Sequence, residues 1–302
     1  MKKCLVIGAA MLDIVMQIDR LPKTGEDVYA KSQEMTVGGC AYNVADILKH
    51  FQVPYTLFAP IGSGMYAEMV ERKLEMAGHV SPIRSEKSDN GYCLCMVEAD
   101  GERTFLTLPG IECTFEAEWF ELIDTKEYDS VYICGYEIEG AGGEKIIRFL
   151  EMHPELKVYY APGPRISYIE KEKHARIFQL HPVLHLNEKE ALDYTGAVDA
   201  AQAAEKLQES TKNTVIITLG GEGALLREKD ETRIIESGTA VVADTIGAGD
   251  SHIGAVIAME QSGAQAESAV RTANQISALV VSVQGPSITK EVFEKWKAQE
   301  EK

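Results

Sequence analysis

The sequence is poor in positive charge. Its 302 residues include 30 Lys and Arg against 47 Asp and Glu, which gives a formal net charge of −17 at pH 7. Proteins that bind DNA, RNA or anionic membranes without sequence specificity need clustered Lys and Arg side chains. The composition therefore argues against a nucleic-acid-binding or membrane-binding function, and any anionic ligand must be held by a local site.

Long apolar runs and paired cysteine motifs are also missing. No apolar segment approaches the roughly 18 residues that a membrane-spanning helix needs. The run MKKCLVIGAAMLDIV is interrupted by Asp13 and followed by no A-x-A cleavage site, so it predicts a buried strand and not a signal peptide. The six cysteines show no Cys-x-x-Cys spacing, and His181 and His185 lie in a strand-like run that does not suit a metal pair. We therefore expect a protein of the reducing cytoplasm.

Short apolar runs alternate with segments of helical periodicity along most of the chain. The runs KCLVIG, YTLFAPIG, SVYICG, KVYYA, VLHL and TVIITLG predict buried strands, and the segments 41–51, 67–77, 142–152, 189–195, 200–211, 249–262 and 264–283 predict helices. This alternation is typical of an α/β fold with a mostly parallel central sheet and helices on both faces. Since no linker or repeat divides the chain, we expect a single domain over residues 1–302.

Two stretches interrupt this alternation. Residues 18–37 are polar and strand-like, and residues 91–109 predict a β-hairpin that turns at Ala99-Asp100-Gly101. Together they predict a small β-sheet lid, formed by approximately residues 15–37 and 90–110, that protrudes from the α/β core.

The stretch DTIGAGDSHIG, residues 244–254, places glycines between two aspartates. Gly247 and Gly249 allow backbone N–H groups to converge on an anion, and the helical pattern that follows predicts a helix N-terminus, where negative charge is favoured. Asp250 then falls in the first helical turn, where it can accept a proton from a hydroxyl group that attacks a phosphoryl group. Taken alone, the stretch also fits a tight strand-to-helix turn whose aspartate complements the helix dipole.

Five motifs, in order, resemble those of the ribokinase-like, or PfkB, family of carbohydrate and nucleoside kinases. They are GAAMLD at 8–13, the Gly-Gly motif VGGCAYN at 37–43, NEKE at 187–190, TLGGEG at 218–223 and DTIGAGD at 244–250. The match spans essentially the whole chain and implies a ribokinase-like α/β fold. VGGCAYN, GPRI and DTIGAGDSH are most similar to a bacterial subgroup of this family that is described only as sugar kinases.

The resemblance implies that two groups of residues handle the acceptor and the transferred phosphoryl group. Asp13, at the end of the first strand, would bind substrate hydroxyl groups together with Gly38, Gly39 and Asn43. Gly247, Ala248 and Gly249 would form an anion hole, with Asp250 as the catalytic base. Taken alone, Asp13 also fits a simple strand-end cap.

The resemblance also implies nucleotide and metal positions. Thr218, Gly220, Gly223 and Asn274 would bind ATP, and Asn187 and Glu190, three residues apart and so on one helical face, would lie near its phosphates. Glu190 would bind Mg²⁺ directly or through water, and Asp244 matches a region that binds a monovalent cation such as K⁺ in some members. Three alternatives remain: a helix N-cap at Asn187, an ordinary hairpin at 218–223, and a satisfied polar core residue at Asn274.

The chain departs from the family pattern where the substrate is chosen. Cys40-Ala41-Tyr42 replaces the Lys-Gly that is frequent in the Gly-Gly motif, which argues against plain ribose, and Ala161 replaces a frequent aspartate near the phosphates. Arg103 and Arg165 are candidates for substrate selection through a carboxylate or several hydroxyl groups. A salt bridge at the lid fits Arg103 equally well, and Tyr42 fits either stacking on the substrate or packing in the core.

These observations predict an ATP-dependent kinase that phosphorylates a primary hydroxyl group of a sugar or sugar-like substrate. A nucleoside kinase of the same fold is the alternative, and a sugar-binding protein without catalysis is a more distant one. A Rossmann dehydrogenase is disfavoured because residues 8–13 do not supply G-x-G-x-x-G. The resemblance further implies a homodimer that pairs through the lid.

Overall fold

Two β-sheets and their flanking helices make up the structure. The computed structural model describes residues 2–300. In chain order, the strands are β1 (Lys3–Ile7), β2 (Met11–Gln17), β3 (Ser32–Gly38), β4 (Tyr55–Phe58), β5 (Tyr92–Val97), β6 (Arg103–Leu108), β7 (Tyr128–Cys134), β8 (Lys157–Ala161), β9 (Val183–Asn187), β10 (Val215–Thr218), β11 (Ala224–Glu228) and β12 (Glu231–Ile235). The α-helices are α1 (Cys40–His50), α2 (Met65–Ala77), α3 (Gly135–Glu139), α4 (Gly143–Met152), α5 (Lys171–Phe178), α6 (Glu188–Thr195), α7 (Ala200–Thr211), α8 (Ala248–Gln261), α9 (Ala266–Val281) and α10 (Lys290–Glu300). None of the helices within residues 2–300 is long and apolar enough to cross a membrane.

The larger sheet has eight strands in the order β12-β11-β10-β9-β8-β7-β1-β4. Neighbouring strands are parallel from β4 to β10, whereas β11 and β12 add an antiparallel hairpin at one edge. The smaller sheet has the order β3-β2-β5-β6, in which β2 and β5 pair in parallel and the outer pairs are antiparallel. The predicted α/β fold, with a mostly parallel central sheet and a small second sheet, is confirmed.

The larger sheet is buried on both faces. Cys4 and Val6 of β1 lie in the core layer that includes α1, α2, α8 and α9, while Leu5 and Ile7 lie in the opposite layer with α4, α5 and α7. Side chains alternate between the two faces of a strand, so a strand covered on both faces is an uninterrupted apolar run. This double burial explains why the parallel strands are recognisable in the sequence.

The first apolar run forms two strands and not one. β1 ends at Ile7, and the chain then crosses to β2 in the smaller sheet. β2 buries Leu12 and Ile14 but leaves Asp13 between them half-buried, which is the alternation of a sheet covered on one face. Asp13 therefore lies within β2, and its predicted place at the end of the first strand is wrong. Both strands are apolar, so sequence periodicity alone merges them.

The smaller sheet, called the small sheet below, comprises residues 11–17, 32–38, 92–97 and 103–108. The predicted hairpin around residues 99–101 is present, since β5 and β6 pair from Tyr92 opposite Leu108 to Val97 opposite Arg103. The prediction that residues 18–37 are strand-like is wrong for residues 18–31, which connect β2 to β3 without a strand and are mostly exposed. Pro22 and Gly25 interrupt this segment, and both residues disfavour a continuous strand.

Candidate active site

The carboxyl ends of β8, β9 and β10 and the N-terminus of α8 surround two adjoining cavities. The inner cavity, of about 250 Å³, is lined by residues that include Cys40, Tyr136, Ala161, Glu190, Gly247 and Asp250. The outer cavity, of about 390 Å³, is lined by residues that include Gly220, Gly223, Ser237, Asn274, Ser277 and Val281. Asn187, Thr218, Thr245, Ala248 and Gly249 line both. Open parallel sheets bind their ligands at this edge, so the two cavities form the candidate site.

Residues 245–249, called the anion loop below, lead into α8. Gly247 has a φ of 75°, in the left-handed region, and a Cβ added to it would lie 2.8 Å from the Cα of Pro286. Glycine alone meets both demands. The first-turn N–H groups of α8 have no intrahelical acceptor, and Gly247, Ala248 and Gly249 line the inner cavity. The loop thus places backbone donors and the positive end of a helix dipole beside this cavity.

Asp250 follows the anion loop in the first turn of α8. Its Oδ2 accepts a hydrogen bond of 2.8 Å from Nδ2 of Asn43 in α1. Burial raises the pKa of Asp250 above its ordinary value, and hydrogen bonds from Asn43 and Cys40 act in the opposite direction. A carboxylate with raised basicity and a fixed orientation is suited to accept a proton from a hydroxyl group in the inner cavity.

The side-chain acceptors of Asn43 and Asp13 lie near the N-terminus of α1. Asn43 is 5% exposed, and its Oδ1 has no hydrogen-bond partner within residues 2–300. Asp13 lies against Gly38, where a Cβ would collide with its carboxylate, and burial raises the pKa of Asp13 to about 6. Buried acceptors are normally satisfied by a ligand or an ordered water. Gly39, the next residue, is the N-cap of α1, so this corner fits a ligand with several hydroxyl groups.

Asn187 and Glu190 form a capping box at the start of α6. Asn187 Oδ1 accepts from the backbone N–H of Glu190 at 2.8 Å, and Glu190 Oε2 accepts from the N–H of Asn187 at 3.0 Å. Asn187 is therefore the N-cap, and its predicted place on a helical face with Glu190 is wrong. Burial and nearby Asp250 raise the pKa of Glu190, which lines the inner cavity. Within residues 2–300, no group of three or more His, Cys, Asp or Glu side chains could hold a metal ion, so any ion at Glu190 needs ligands from water or substrate.

The segment 218–223 forms one wall of the outer cavity. It joins β10 to the antiparallel β11 through a 3₁₀ turn at Gly220–Glu222, so it is a hairpin, as the alternative interpretation held. The same turn brings Thr218, Gly220 and Gly223 to the cavity. This segment thus forms a hairpin and also lines the outer cavity, so the two interpretations of it do not exclude each other.

Asn274 closes a buried chain of polar side chains. His185 Nε2 lies 3.0 Å from His252 Nδ1, and His252 Nε2 lies 3.0 Å from Asn274 Oδ1. Asn274 Nδ2 donates to the carbonyl group of Ile235 at 2.7 Å. Burial lowers the pKa of His252 to about 4 and that of His185 well below its ordinary value, so both rings are neutral near pH 7. Both polar atoms of the Asn274 side chain are thus hydrogen-bonded within the protein. Asn274 lines the outer cavity as part of this network.

Arg103 and Asp244 meet across the site. Arg103, the first residue of β6, donates through Nη1 to Oδ1 of Asp244, and the two side chains are 20% and 4% exposed. Asp244 also accepts from the N–H of Ile246 at 2.8 Å and from that of Gly285 at 3.0 Å. Burial acts to raise the pKa of Asp244, but the hydrogen bonds from Arg103, Ile246 and Gly285 hold that pKa below its ordinary value. Arg103 therefore makes the salt bridge that the sequence predicted as an alternative, and its guanidinium places a positive charge beside Asp244.

Arg165 is also engaged by protein groups. Its Nη2 donates to Oε1 of Glu139 at 2.6 Å, its Nε donates to the other oxygen, and its guanidinium lies 4.4 Å from the ring centroid of Tyr168. Two donors of Arg165 thus face a carboxylate of α3, and the role of Arg165 in substrate selection stays a prediction.

A buried polar cluster beside Asp250 is missing from the sequence predictions. Cys134 Sγ donates to Oε2 of Glu137 at 2.7 Å, and Glu137 Oε1 accepts from the N–H of Ala9 at 2.9 Å. Burial raises the pKa of Glu137 to about 7. Cys40, Cys134 and Asp250 all line the inner cavity. Cys134 and Glu137 are close in sequence, but Ala9 and Cys40 come from other parts of the chain and reach them only in the fold.

Comparisons with known proteins agree on the family. The family model described as pfkB family carbohydrate kinase matches residues 1–292. The protein described as uncharacterized sugar kinase YegV of Escherichia coli (strain K12) is 33% identical over 285 residues, which cover 93% of this chain and 89% of that protein. The predicted family is confirmed.

Solved structures share the fold. A crystal structure of ribokinase from Thermotoga maritima matches with a TM-score of 0.85 at 25% identity, over 99% of this chain and 100% of that one. A nucleoside kinase of Burkholderia thailandensis in complex with inosine matches with a TM-score of 0.78 at 19% identity, over 98% of each chain, which is a likeness of fold alone. The chain belongs to the PfkB family of carbohydrate kinases, which are phosphotransferases with an alcohol group as acceptor.

Proposed function

We propose that the chain transfers the γ-phosphoryl group of ATP to a primary hydroxyl group of a sugar or sugar-like substrate. The observation that carries the proposal is the pair of Asn43 and Asp250. Asn43 donates to Asp250 and keeps a buried Oδ1 without a partner among the described residues. In the proposal this Oδ1 accepts from one substrate hydroxyl group, Asp13 binds others, and Asp250 takes the proton of the attacking hydroxyl group.

The phosphate groups would lie along the line from the outer to the inner cavity. The outer cavity, at about 390 Å³, falls within the range of ~300–1,000 Å³ that small-molecule sites occupy. The nucleoside of ATP would fill it between the 218–223 turn and α9. The backbone N–H groups of Gly247, Ala248 and Gly249 would then stabilise charge on the transferred phosphoryl group, because preorganised donors lose little by reorganisation.

Glu190 is the residue that would hold Mg²⁺. One of its oxygens caps α6, the other has no protein partner in the described chain, and its carboxylate lines the inner cavity. An oxygen ligand of this kind suits Mg²⁺, bound directly or through water. When bound, the ion neutralises charge on the nucleotide phosphates. Asn187 would contribute by fixing the rotamer of Glu190 through the capping box.

Tyr42, Cys40 and Asn43 of α1 bear on the choice of acceptor. Tyr42 packs edge-on against His79, with ring centroids 5.2 Å apart, so it supports core packing and not stacking on a base. The proposal therefore favours a sugar over a nucleoside. Cys40 and Asn43, both on the first turn of α1, would contact the acceptor, and Cys40 belongs to the segment that carries Lys-Gly in many other family members.

The proposal also covers the small sheet and the assembly. Residues 1–302 would form one catalytic domain, and the small sheet would act as a lid that excludes water from the acceptor. β6 is an edge strand, and its Phe105, Leu106 and Leu108 are 56%, 61% and 55% exposed. Apolar edge strands invite pairing with another chain, so two copies would pair through their lids. The reaction would take place in the cytoplasm.

A coupled ADP-release screen over hexoses, pentoses, keto-acid sugars and nucleosides tests the proposal. We expect one sugar to support turnover, and we expect Asp250→Asn to abolish it. Asp230→Asn is the matched control, because the Asp230 side chain is 94% exposed and lies outside both cavities. Turnover with nucleosides alone would favour the alternative kinase, and no ADP release with any acceptor would favour a binding protein without catalysis.

A further inference from the structure

The small sheet is anchored to the body of the protein at two unlike places. On its β2–β3 side, Met16 and Met35 pack onto the main core, and Lys73 of α2 donates to the carbonyl group of Met35 at 3.1 Å. On its β5–β6 side, a cleft of about 580 Å³ separates the hairpin from residues 242–246. The ion pair between Arg103 and Asp244 crosses this cleft and joins segments 141 residues apart. Tyr92 and Leu94 of β5 also pack onto the main core, so the hairpin side differs from the other side by the charged contact at β6.

Asp244 in turn organises the anion loop. Its Oδ1 accepts from the N–H of Ile246, two residues before the N-terminus of α8, and its Oδ2 accepts from the N–H of Gly285. The next residue, Pro286, lies against Gly247. One carboxylate therefore ties the small sheet, the anion loop and the turn beneath Gly247 together. A buried carboxylate left without its cation is strongly unfavourable, so the position of Arg103 affects all three.

We propose that Arg103 is a positioning residue that couples the small sheet to the anion loop, and that its guanidinium, instead of a monovalent metal ion, balances Asp244. The inference rests on the proposed function, because it assigns the anion loop to phosphoryl transfer and the small sheet to the acceptor. When the sheet covers the acceptor, Arg103 reaches Asp244 and the loop holds its phosphate-binding shape. Since coupling between two sites is reciprocal, nucleotide at the loop also favours the covered position of the sheet.

The test compares full-length wild type, Arg103→Gln and Arg103→Lys with Arg20→Gln as the matched control. Arg20 lies in the β2–β3 connection and pairs with the carboxylate of Glu26, and this ion pair is at the surface. Hydrogen–deuterium exchange is measured without any substrate, so its outcome does not depend on the kinase reaction. We expect the amides of residues 244–249 to exchange about tenfold faster in Arg103→Gln, since local opening becomes easier. Arg20→Gln should match wild type, and Arg103→Lys should fall between. If the amides of residues 244–249 exchange at the wild-type rate in Arg103→Gln, the inference is overturned even if the kinase proposal holds.

The second readout is turnover with the best sugar from the screen. It is measured in potassium chloride and in choline chloride at equal ionic strength. We expect wild type to be insensitive to K⁺, and Arg103→Gln to lose about 10- to 100-fold in kcat, in line with the loss of a buried charge partner. A strong K⁺ requirement in wild type overturns the role given to the guanidinium. If Arg103→Gln does not fold, the double variant Arg103→Gln/Asp244→Asn leaves no uncompensated charge and takes its place. If the amides of residues 244–249 exchange at the wild-type rate in the double variant, the inference is likewise overturned.

Discussion

The hydrogen bond from Asn43 to Asp250 should set the pH at which the proposed base works. Its Nδ2 lies 2.8 Å from Oδ2 and stabilises the ionised carboxylate. A hydrogen bond to a charged group contributes roughly 1.5–3 kcal/mol, and one pKa unit corresponds to about 1.36 kcal/mol. In Asn43→Ala the pKa of Asp250 should therefore rise by about one to two units. Because the base must be ionised to act, activity is lost as pH falls through this pKa, and the acidic limb of the kcat profile should move to higher pH.

Asn43→Asp should have a larger effect in the same direction. It places a second carboxylate beside Asp250, and two carboxylates that share a site cannot both ionise readily, so one pKa of the pair rises strongly. The assay is kcat against pH with the best sugar, and Asn213→Ala, outside both cavities, is the control. If kcat falls in both Asn43 variants but the acidic limb stays at its wild-type pH, the hydrogen bond does not tune the base and this reasoning is refuted.

Three further predictions test other parts of the site. Asp13→Asn should raise KM for the sugar about tenfold or more, because it weakens charged hydrogen bonds to hydroxyl groups, and isothermal titration should find MgADP affinity unchanged; equal losses of both would argue against an acceptor role. Glu190→Gln should raise the Mg²⁺ concentration for half-maximal activity about 10- to 100-fold, and an unchanged Mg²⁺ titration would remove Glu190 from the metal site. Asn274→Leu should lower the free energy of unfolding by about 1–3 kcal/mol, because it leaves His252 and the Ile235 carbonyl group unsatisfied; denaturant titration checks this, and unaltered stability would show that the chain of polar side chains is not structural.

The fold was predictable where burial leaves a clear period in the sequence. Strands such as β7 and β8 are covered on both faces and read as apolar runs, and α7 begins and ends where its periodicity does. Two features were not predictable in the same way. β1 and β2 are both apolar and differ only in the sheet that they join, and β11 and β12 form a partly exposed edge hairpin whose polar residues mask its strands.

The site was predictable to the extent that its residues belong to local motifs. The glycine turn before Asp250 and the N-cap at Asn187 each depend on a few neighbouring residues, so the sequence alone could indicate them. The partner of Arg103 is not local, because Asp244 meets it only after the small sheet lies over the anion loop. The neighbours of Cys40 are likewise created by the packing of α1 against β7 and Asp250. Sequence therefore predicted the groups that the proposed chemistry uses and missed the groups that orient them.

The most direct test of the central claim is the turnover of Asp250→Asn with the best sugar, measured together with its affinity for MgADP. The account predicts that kcat falls by about 10²- to 10⁴-fold, as expected when a general base is lost. MgADP affinity should remain within about twofold of wild type, since the anion loop and the outer cavity are unchanged. Near-wild-type kcat in Asp250→Asn would contradict the assignment of Asp250 as the base.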